Sequence, residues 1–161
     1  MSDKLLTITV PVYNTEEYLP KCLDSLIIDE YIDILEVLIV IDGSPDNSLT
    51  IAQEYAQRYP NTFIVINKEN GGHSSAINKG LELATGKYFK LLDSDDWFNK
   101  DSFKVFLERL SNLDVDLILT NYTKEFIFEN RTESYKLHSL PPNKLYDIKT
   151  IDRSFLSDRS L

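Results

Sequence analysis

The sequence predicts an α/β protein with a mostly parallel central sheet and helices on both faces. Three observations carry this. Strand-like and helix-like segments alternate five times along the chain. The first strand-like segments are apolar almost throughout, as expected of strands buried on both faces. Polar clusters directly follow strands at Tyr13-Asn14, Asp42-Gly43-Ser44, Asn70-Gly71-Gly72 and Asp93-Ser94-Asp95-Asp96. A parallel sheet brings such clusters to one rim, where these folds bind ligands.

The elements follow in order. Residues 5–12 (LLTITVPV) are β-branched and apolar, bounded by Pro11 and Asn14, and read as a buried strand. Thr15-Glu16-Glu17 supplies a capping hydroxyl and an acidic first turn, and Pro20 suits the start of a regular helix running through Leu26-Ile27. Residues 35–41 (LEVLIVI) form the second buried strand. Asp42 to Asn47 is turn chemistry, and Asp46 or Asn47 caps a helix through Tyr59 that Pro60 closes. Residues 63–66 are the third strand. Ser74 or Ser75 then opens a helix with Ala76, Ile77, Leu81 and Ala84 as its apolar positions, stopped at Gly86. Residues 88–92 are the fourth strand. Residues 101–113 form an amphipathic helix with Phe103, Phe106, Leu107 and Leu110 on one face. Residues 115–120 (VDLILT) read as a fifth strand. Residues 122–140 are polar and aromatic with partial alternation, which suggests antiparallel strands or a hairpin, interrupted at Pro141-Pro142. Residues 143–161 offer no core element.

Length and composition set bounds. The 161 residues suit one domain, or one domain with a tail. Seventeen Lys and Arg against 26 Asp and Glu leave a net charge of −9 without a basic run, which excludes a nucleic-acid partner. An anionic ligand then needs a metal, helix N-termini or local cations. Cys22 is the only cysteine, so no intrachain disulfide forms, in keeping with a reducing compartment. Met1-Ser2-Asp3-Lys4 leads straight into a strand, so no signal peptide is expected. No apolar stretch approaches the ~18 residues that span a bilayer.

The acidic turn carries the chemistry. A short apolar strand stops at Asp93, Asp95 and Asp96, three carboxylates within four residues. Like charges this close raise one another's pKa unless a cation sits among them. Hard oxygen ligands favour Mg2+ or Mn2+. One Asp is explained by helix capping; three beside an apolar strand are better explained by metal and substrate binding.

The other rim residues are less specific taken singly. Asp42 serves equally as a turn residue before Gly43. Tyr13 suits a nucleobase face or ordinary packing. Asn70-Gly71-Gly72-His73 allows close backbone approach to a ligand, yet alone reads as a turn. Lys68, Lys79 and Lys90 read as solvated surface charges, and Trp97 as packing under the acidic turn. No GxxxxGK[ST], GxGxxG or GxSxG motif is present, and His and Cys are too few for a zinc site.

In order, these clusters make the chain resemble family 2 glycosyltransferases of the GT-A fold, which use nucleotide-sugar donors. The matching stretches are Thr7-Ile8-Thr9-Val10-Pro11-Val12-Tyr13-Asn14, Leu38-Ile39-Val40-Ile41-Asp42-Gly43-Ser44-Pro45-Asp46-Asn47-Ser48, Asn70-Gly71-Gly72-His73-Ser74-Ser75-Ala76-Ile77-Asn78-Lys79-Gly80, and Gly86-Lys87-Tyr88 through Asp93-Ser94-Asp95-Asp96-Trp97. The resemblance covers about residues 5–125. It implies a Rossmann-like GT-A core over residues 1–125 that binds the donor, and an incomplete acceptor-side segment or tail over 126–161. It implies that Pro11, Val12, Tyr13 and Asn14 line the base pocket, with Tyr13 against the ring. Asp42 accepts a hydrogen bond from the base, typically uracil N3. Gly71, Gly72 and the helix after them help form the donor site. Asp93 and Asp95 form a D-x-D signature around Ser94, with Asp93 toward the ribose or sugar, Asp95 on Mn2+ or Mg2+, and Asp96 at the same edge.

The chain departs from the family pattern at two positions: Ile41 stands where an acid is usual before Asp42, and Ile77 where Arg often precedes Asn78. Inverting members use a carboxylate base in the acceptor-binding half, and no segment after residue 125 matches it. Asp147, Asp152 and Asp158 are candidates by residue type only, so the base is unassigned. The expectation is transfer from a nucleoside diphosphate sugar, UDP-linked first, to a glycan or lipid-linked acceptor. A cytoplasmic enzyme of cell-surface polysaccharide synthesis is implied, with room for peripheral association at the inner face of the membrane. A non-catalytic or truncated nucleotide-sugar-binding domain is the alternative. An aspartyl phosphotransferase ranks third, because its D-x-D follows the first strand rather than the fourth.

Overall fold

The computed structural model describes residues 4–136, 144–147 and 149. These fall into two compact units that divide between Leu113 and Asp114.

The first unit is built on four strands, β1 (Leu6–Val12), β2 (Leu35–Asp42), β3 (Phe63–Lys68) and β4 (Tyr88–Leu91). They form one sheet in the order β3-β2-β1-β4 with every pairing parallel. β1 and β2 are buried along their whole length, so β2 runs apolar from Val37 to Ile41 and the alternate positions of β1, Thr7, Thr9 and Pro11, are covered as well. α1 (Leu19–Asp24), α2 (Ser48–Arg58), α3 (His73–Leu83) and α4 (Lys100–Leu110) connect or follow the strands. α3 packs on β1 and β2, α2 on β2 and β3, and α1 on α2. Among the described residues, no helix is long and apolar enough to cross a membrane.

Local chemistry explains the boundaries. α1 places Pro20 in its first turn, where a missing N–H costs nothing. It ends at Asp24 rather than Ile27. Thr15 starts the preceding turn with its carbonyl, which accepts from the Tyr18 and Leu19 N–H groups. Its hydroxyl is used elsewhere, as described below. Asp46 provides the cap foreseen for α2, accepting from the Ser48 N–H at 3.1 Å and the Ser48 hydroxyl at 2.9 Å. Asn99 caps α4 by accepting from the Ser102 N–H at 3.0 Å. The apolar face of α4 is Phe103, Leu107 and Leu110, with Phe98 stacked on Phe103 at 4.4 Å.

At the end of the sheet away from the polar rim, Glu36 is buried with its charge compensated. It accepts from the Thr7 hydroxyl at 2.6 Å, the Thr85 N–H at 2.8 Å and the Thr85 hydroxyl at 2.7 Å. Thr7 in turn accepts from the Gly86 N–H at 2.8 Å. This network fixes where the chain enters β4.

In the second unit, β5 (Tyr122–Phe126) and β6 (Arg131–Tyr135) form the antiparallel hairpin foreseen there, with Tyr122 and Tyr135 paired in register and stacked at 4.8 Å. The fifth strand expected over residues 115–120 is corrected by the structure: that segment forms no strand among the described residues. An apolar run becomes a strand only where a neighbouring backbone takes its N–H and C=O groups. Leu117 and Leu119 are exposed here. Residues 137–143 of the expected second half lie outside the described residues.

Candidate functional site

The four strands of the sheet end on one rim, and the loops after them enclose a cleft of about 410 Å³. Its wall includes Pro11 and Val12 at the end of β1, Tyr13 and Thr15 just after it, and Asp42 from the end of β2. Asn70 and Gly72 precede α3, and His73 and Ala76 belong to it. Ser94 and Asp95 close it beyond β4. Four segments far apart in sequence therefore share one cavity.

Asp42 anchors one end. It is 3% exposed and stands opposite Lys68 in the parallel ladder of β2 and β3. Its Oδ1 accepts from the Lys68 ammonium and from the Gly71 N–H at 2.9 Å. Burial works against its charge, but Lys68 and the Gly71 and Gly72 N–H groups outweigh it, and the carboxyl lies below its ordinary range. Gly43 has φ 64°, and a Cβ there would sit 2.7 Å from the Asn70 nitrogen, so the β2 turn and the glycine loop touch backbone to backbone. Tyr13, after the neighbouring strand β1, lines the same cleft and is about half exposed. Asn14 follows at φ 55°, and its N–H donates to the Ser44 hydroxyl at 2.8 Å, away from the cleft.

The acidic turn anchors the other end. β4 pairs with β1 only as far as Thr9 and Leu91, and the Leu92 N–H still reaches the Thr9 carbonyl. The chain then turns, and the Asp96 N–H donates to the Asp93 carbonyl at 3.0 Å. Ser94 is buried and accepts from the Thr15 hydroxyl at 2.9 Å, so the foreseen helix cap instead ties the β1 loop to the acidic turn. The Cys22 thiol donates to the Asp93 carbonyl at 3.8 Å. Asp93 Oδ1 is buried with no hydrogen-bond partner, and His73 Nε2 stands 3.6 Å from it.

Residues 7–158 match the profile of glycosyl transferase family 2. The chain belongs to that family. It is 34% identical over 151 residues to the minor teichoic acid biosynthesis protein GgaB of Bacillus subtilis, covering 91% of this chain and 16% of GgaB. Among solved structures, S. aureus TarS 1-349 in complex with UDP-GlcNAc superposes with a TM-score of 0.57 at 30% identity, over 67% of this chain and 31% of that one. The Pyrobaculum calidifontis mannosyltransferase PcManGT, in complex with GDP-Man and Mn2+, gives 0.56 at 27% identity, over 61% and 30%. The chain thus spans less than a third of each of these three proteins.

In this family 2 chain the electrostatics of the acidic turn are unbalanced. Burial, then repulsion from Asp95 and Asp93, raise the Asp96 carboxyl, and Lys90 offsets only part. The Cys22 thiol is pushed up to about 12, first by burial and then by Asp96, Asp95 and Asp93. Among the described residues, no group of three or more His, Cys, Asp or Glu converges as a complete metal cage. The donor set still fits a hard divalent cation: it is all carboxylate, and Asp93 Oδ1 is buried without a donor. Such cations commonly take one or two carboxylates and complete their shell with phosphate and water.

Of the residues foreseen from sequence, Pro11, Val12, Tyr13, Asp42, Gly72, Ser94 and Asp95 line the cleft. Asn14 and Gly71 support it through backbone N–H groups. Asp93 and Asp96 flank it without forming its wall. Lys68 corrects the surface-charge reading, because it is ion-paired to Asp42. The Thr15 hydroxyl bonds to Ser94 rather than acting as a cap, and His73 stands beside Asp93, a pairing that local sequence does not reveal. Register was the available signal for Lys68: in a parallel β2–β3 pair, the residue opposite Asp42 falls at the end of β3. Asp147 lies in the second unit, and Asp152 and Asp158 lie outside the described residues.

Proposed function

We propose that this chain carries the donor site of an enzyme that transfers a sugar from a nucleoside diphosphate sugar, UDP-linked, to a glycan or lipid-linked acceptor hydroxyl. The observation that carries it is the pairing of two unlike ends in one cleft. One end is a buried carboxylate held by Lys68 and Gly71, with Tyr13 in the same cleft. The other is an acidic turn in which Asp93 Oδ1 has no hydrogen-bond partner among the described residues and His73 stands 3.6 Å away. A base and a diphosphate differ in the same way.

Asp42 accepts the base N–H, and Tyr13 lies against the ring. Gly72 has φ 84° and nothing within 4 Å of where a Cβ would stand, which leaves its backbone open to the donor at the start of α3. Asp95 and Asp93 would hold a divalent cation, Mn2+ or Mg2+, which when bound would offset charge on the departing diphosphate as a Lewis acid. Asp96 assists at the same edge. The acceptor oxygen attacks the anomeric carbon with inversion while the bond to the diphosphate breaks, and the base that takes its proton is unassigned. Residues 1–125 form the donor side, and residues 126–161 are a partial acceptor-side segment or a tail. Relatives such as GgaB, named for minor teichoic acid biosynthesis, support a role in cell-surface polymer synthesis.

Calorimetry of UDP against the chain, in Mn2+ and in EDTA, tests this. Binding in Mn2+ is expected to exceed that in EDTA by about tenfold or more, and Asp95→Asn to abolish the difference. Equal affinity in both buffers overturns the metal assignment. No UDP binding in Mn2+ overturns the donor site.

A further inference from the structure

Asp42 and Lys68 are the last register pair of the parallel ladder between β2 and β3. Sheet geometry therefore sets the Lys68 ammonium beside the Asp42 carboxylate. Lys68 is itself tethered, donating to the Glu69 carbonyl at 2.6 Å, with 23% of its side chain exposed. From the other side the Gly71 N–H reaches the same oxygen, Oδ1. The Asp42 side chain is only 4% exposed, yet it forms part of the cleft wall, whereas Lys68 does not. Lys68 thus meets the cleft through Asp42 rather than by lining it.

We propose that Lys68 is a positioning residue that makes Asp42 a fixed, acceptor-only reader of the nucleobase, so that the cleft selects uracil or guanine over cytosine or adenine. This rests on Asp42 being the base-binding residue of the proposed donor site. The chemistry is one of donors and acceptors. Uracil N3 and guanine N1 carry a ring N–H and donate to a carboxylate. Cytosine N3 and adenine N1 present a lone pair, which a carboxylate repels. Their amino groups lie one bond outside the ring, so offering one requires the ring to shift from its place between Asp42 and Tyr13. Without Lys68, a buried carboxylate takes a proton or rotates toward water, and as an acid it donates to the lone pair it had repelled.

Binding of UDP, GDP, CDP and ADP in Mn2+, measured by calorimetry, tests this in the wild type, Lys68→Met and Lys68→Arg. The wild type is expected to prefer UDP or GDP by about tenfold or more. Lys68→Met is expected to lose about tenfold on the preferred nucleotide and much less on CDP and ADP, so that the ratio collapses. Lys68→Arg restores the ratio, because a cation returns. If Lys68→Met does not fold, Lys68→Gln replaces it in the same comparison. Equal weakening of all four nucleotides, an unchanged ratio, or a wild-type ratio near one overturns the inference while leaving UDP binding intact. A wild type that binds none of the four overturns the proposed donor site, and this inference with it.

Discussion

Asp46 accepts four hydrogen bonds, from the Glu16 N–H, the Ser44 hydroxyl, and the N–H and hydroxyl of Ser48. Glu16 answers by accepting from the Asn47 N–H at 2.7 Å. The loop after β1, which carries Tyr13, is thereby bolted to the loop after β2, which follows Asp42. Burial raises the Asp46 carboxyl, but these donors outweigh it and lower it from 3.8 to about 2. A folded value below the ordinary one means that the charged form favours the fold. That contribution is fully present above the ordinary value and is lost as pH falls from about 3.8 through about 2. Asp46→Ala is therefore expected to cost about 1–2 kcal/mol near neutral pH, with the wild-type and variant stabilities converging in acid. Urea unfolding from neutral pH down to about pH 2 checks this; a gap that stays constant with pH sinks it. Asp46 was legible as a cap because its helix is local in sequence. Its bond to Glu16 was not, because loops thirty residues apart meet only once β1 and β2 pair. Lys68 was misread for the same reason.

α3 shows how an element sets the site. Gly80 lies against β1, where a Cβ would stand 2.2 Å from Thr9 Cγ2 and 2.3 Å from its Oγ1. One turn earlier, on the same face, Ala76 lines the cleft, and His73 begins the helix there. Two effects oppose each other in Gly80→Ala. Helix propensity favours alanine by about 1 kcal/mol. Overpacking against the strand costs about 1–3 kcal/mol, and Thr9 is wholly buried with nowhere to move. Net destabilisation of up to about 2 kcal/mol is expected, with weaker UDP binding as α3 lifts from the sheet. Denaturant unfolding beside UDP titration measures both; a stabilised variant with unchanged binding removes the packing argument. At this scale most of the sequence reading stands, because β1 and β2 declare burial by being apolar almost throughout and α4 by its period. The reading missed where partners decide. Residues 115–120 have strand composition and no strand, and α3 keeps Leu81 exposed because its contact face is made of small residues, Ala76 and Gly80.

Over the whole molecule, a net charge of −9 stands against any diphosphate ligand. The cleft offers little local relief, because the Lys68 ammonium is committed to Asp42 and the carboxylates of the acidic turn add to the repulsion. Long-range repulsion of this kind is screened by salt: the Debye length falls from about 30 Å at 0.01 M to about 8 Å at 0.15 M. In EDTA, UDP affinity is therefore expected to rise by about threefold or more across that range. This is the reverse of what a cationic phosphate pocket gives. With Mn2+ saturating, the nucleotide arrives less charged and the turn is partly neutralised, so the salt dependence is expected to flatten. Titrating UDP at three ionic strengths, with and without the metal, separates the two regimes. Affinity that falls with salt in EDTA means that local cations outweigh the net field. The acidic turn would then be a weaker reason for the metal than its sequence suggests.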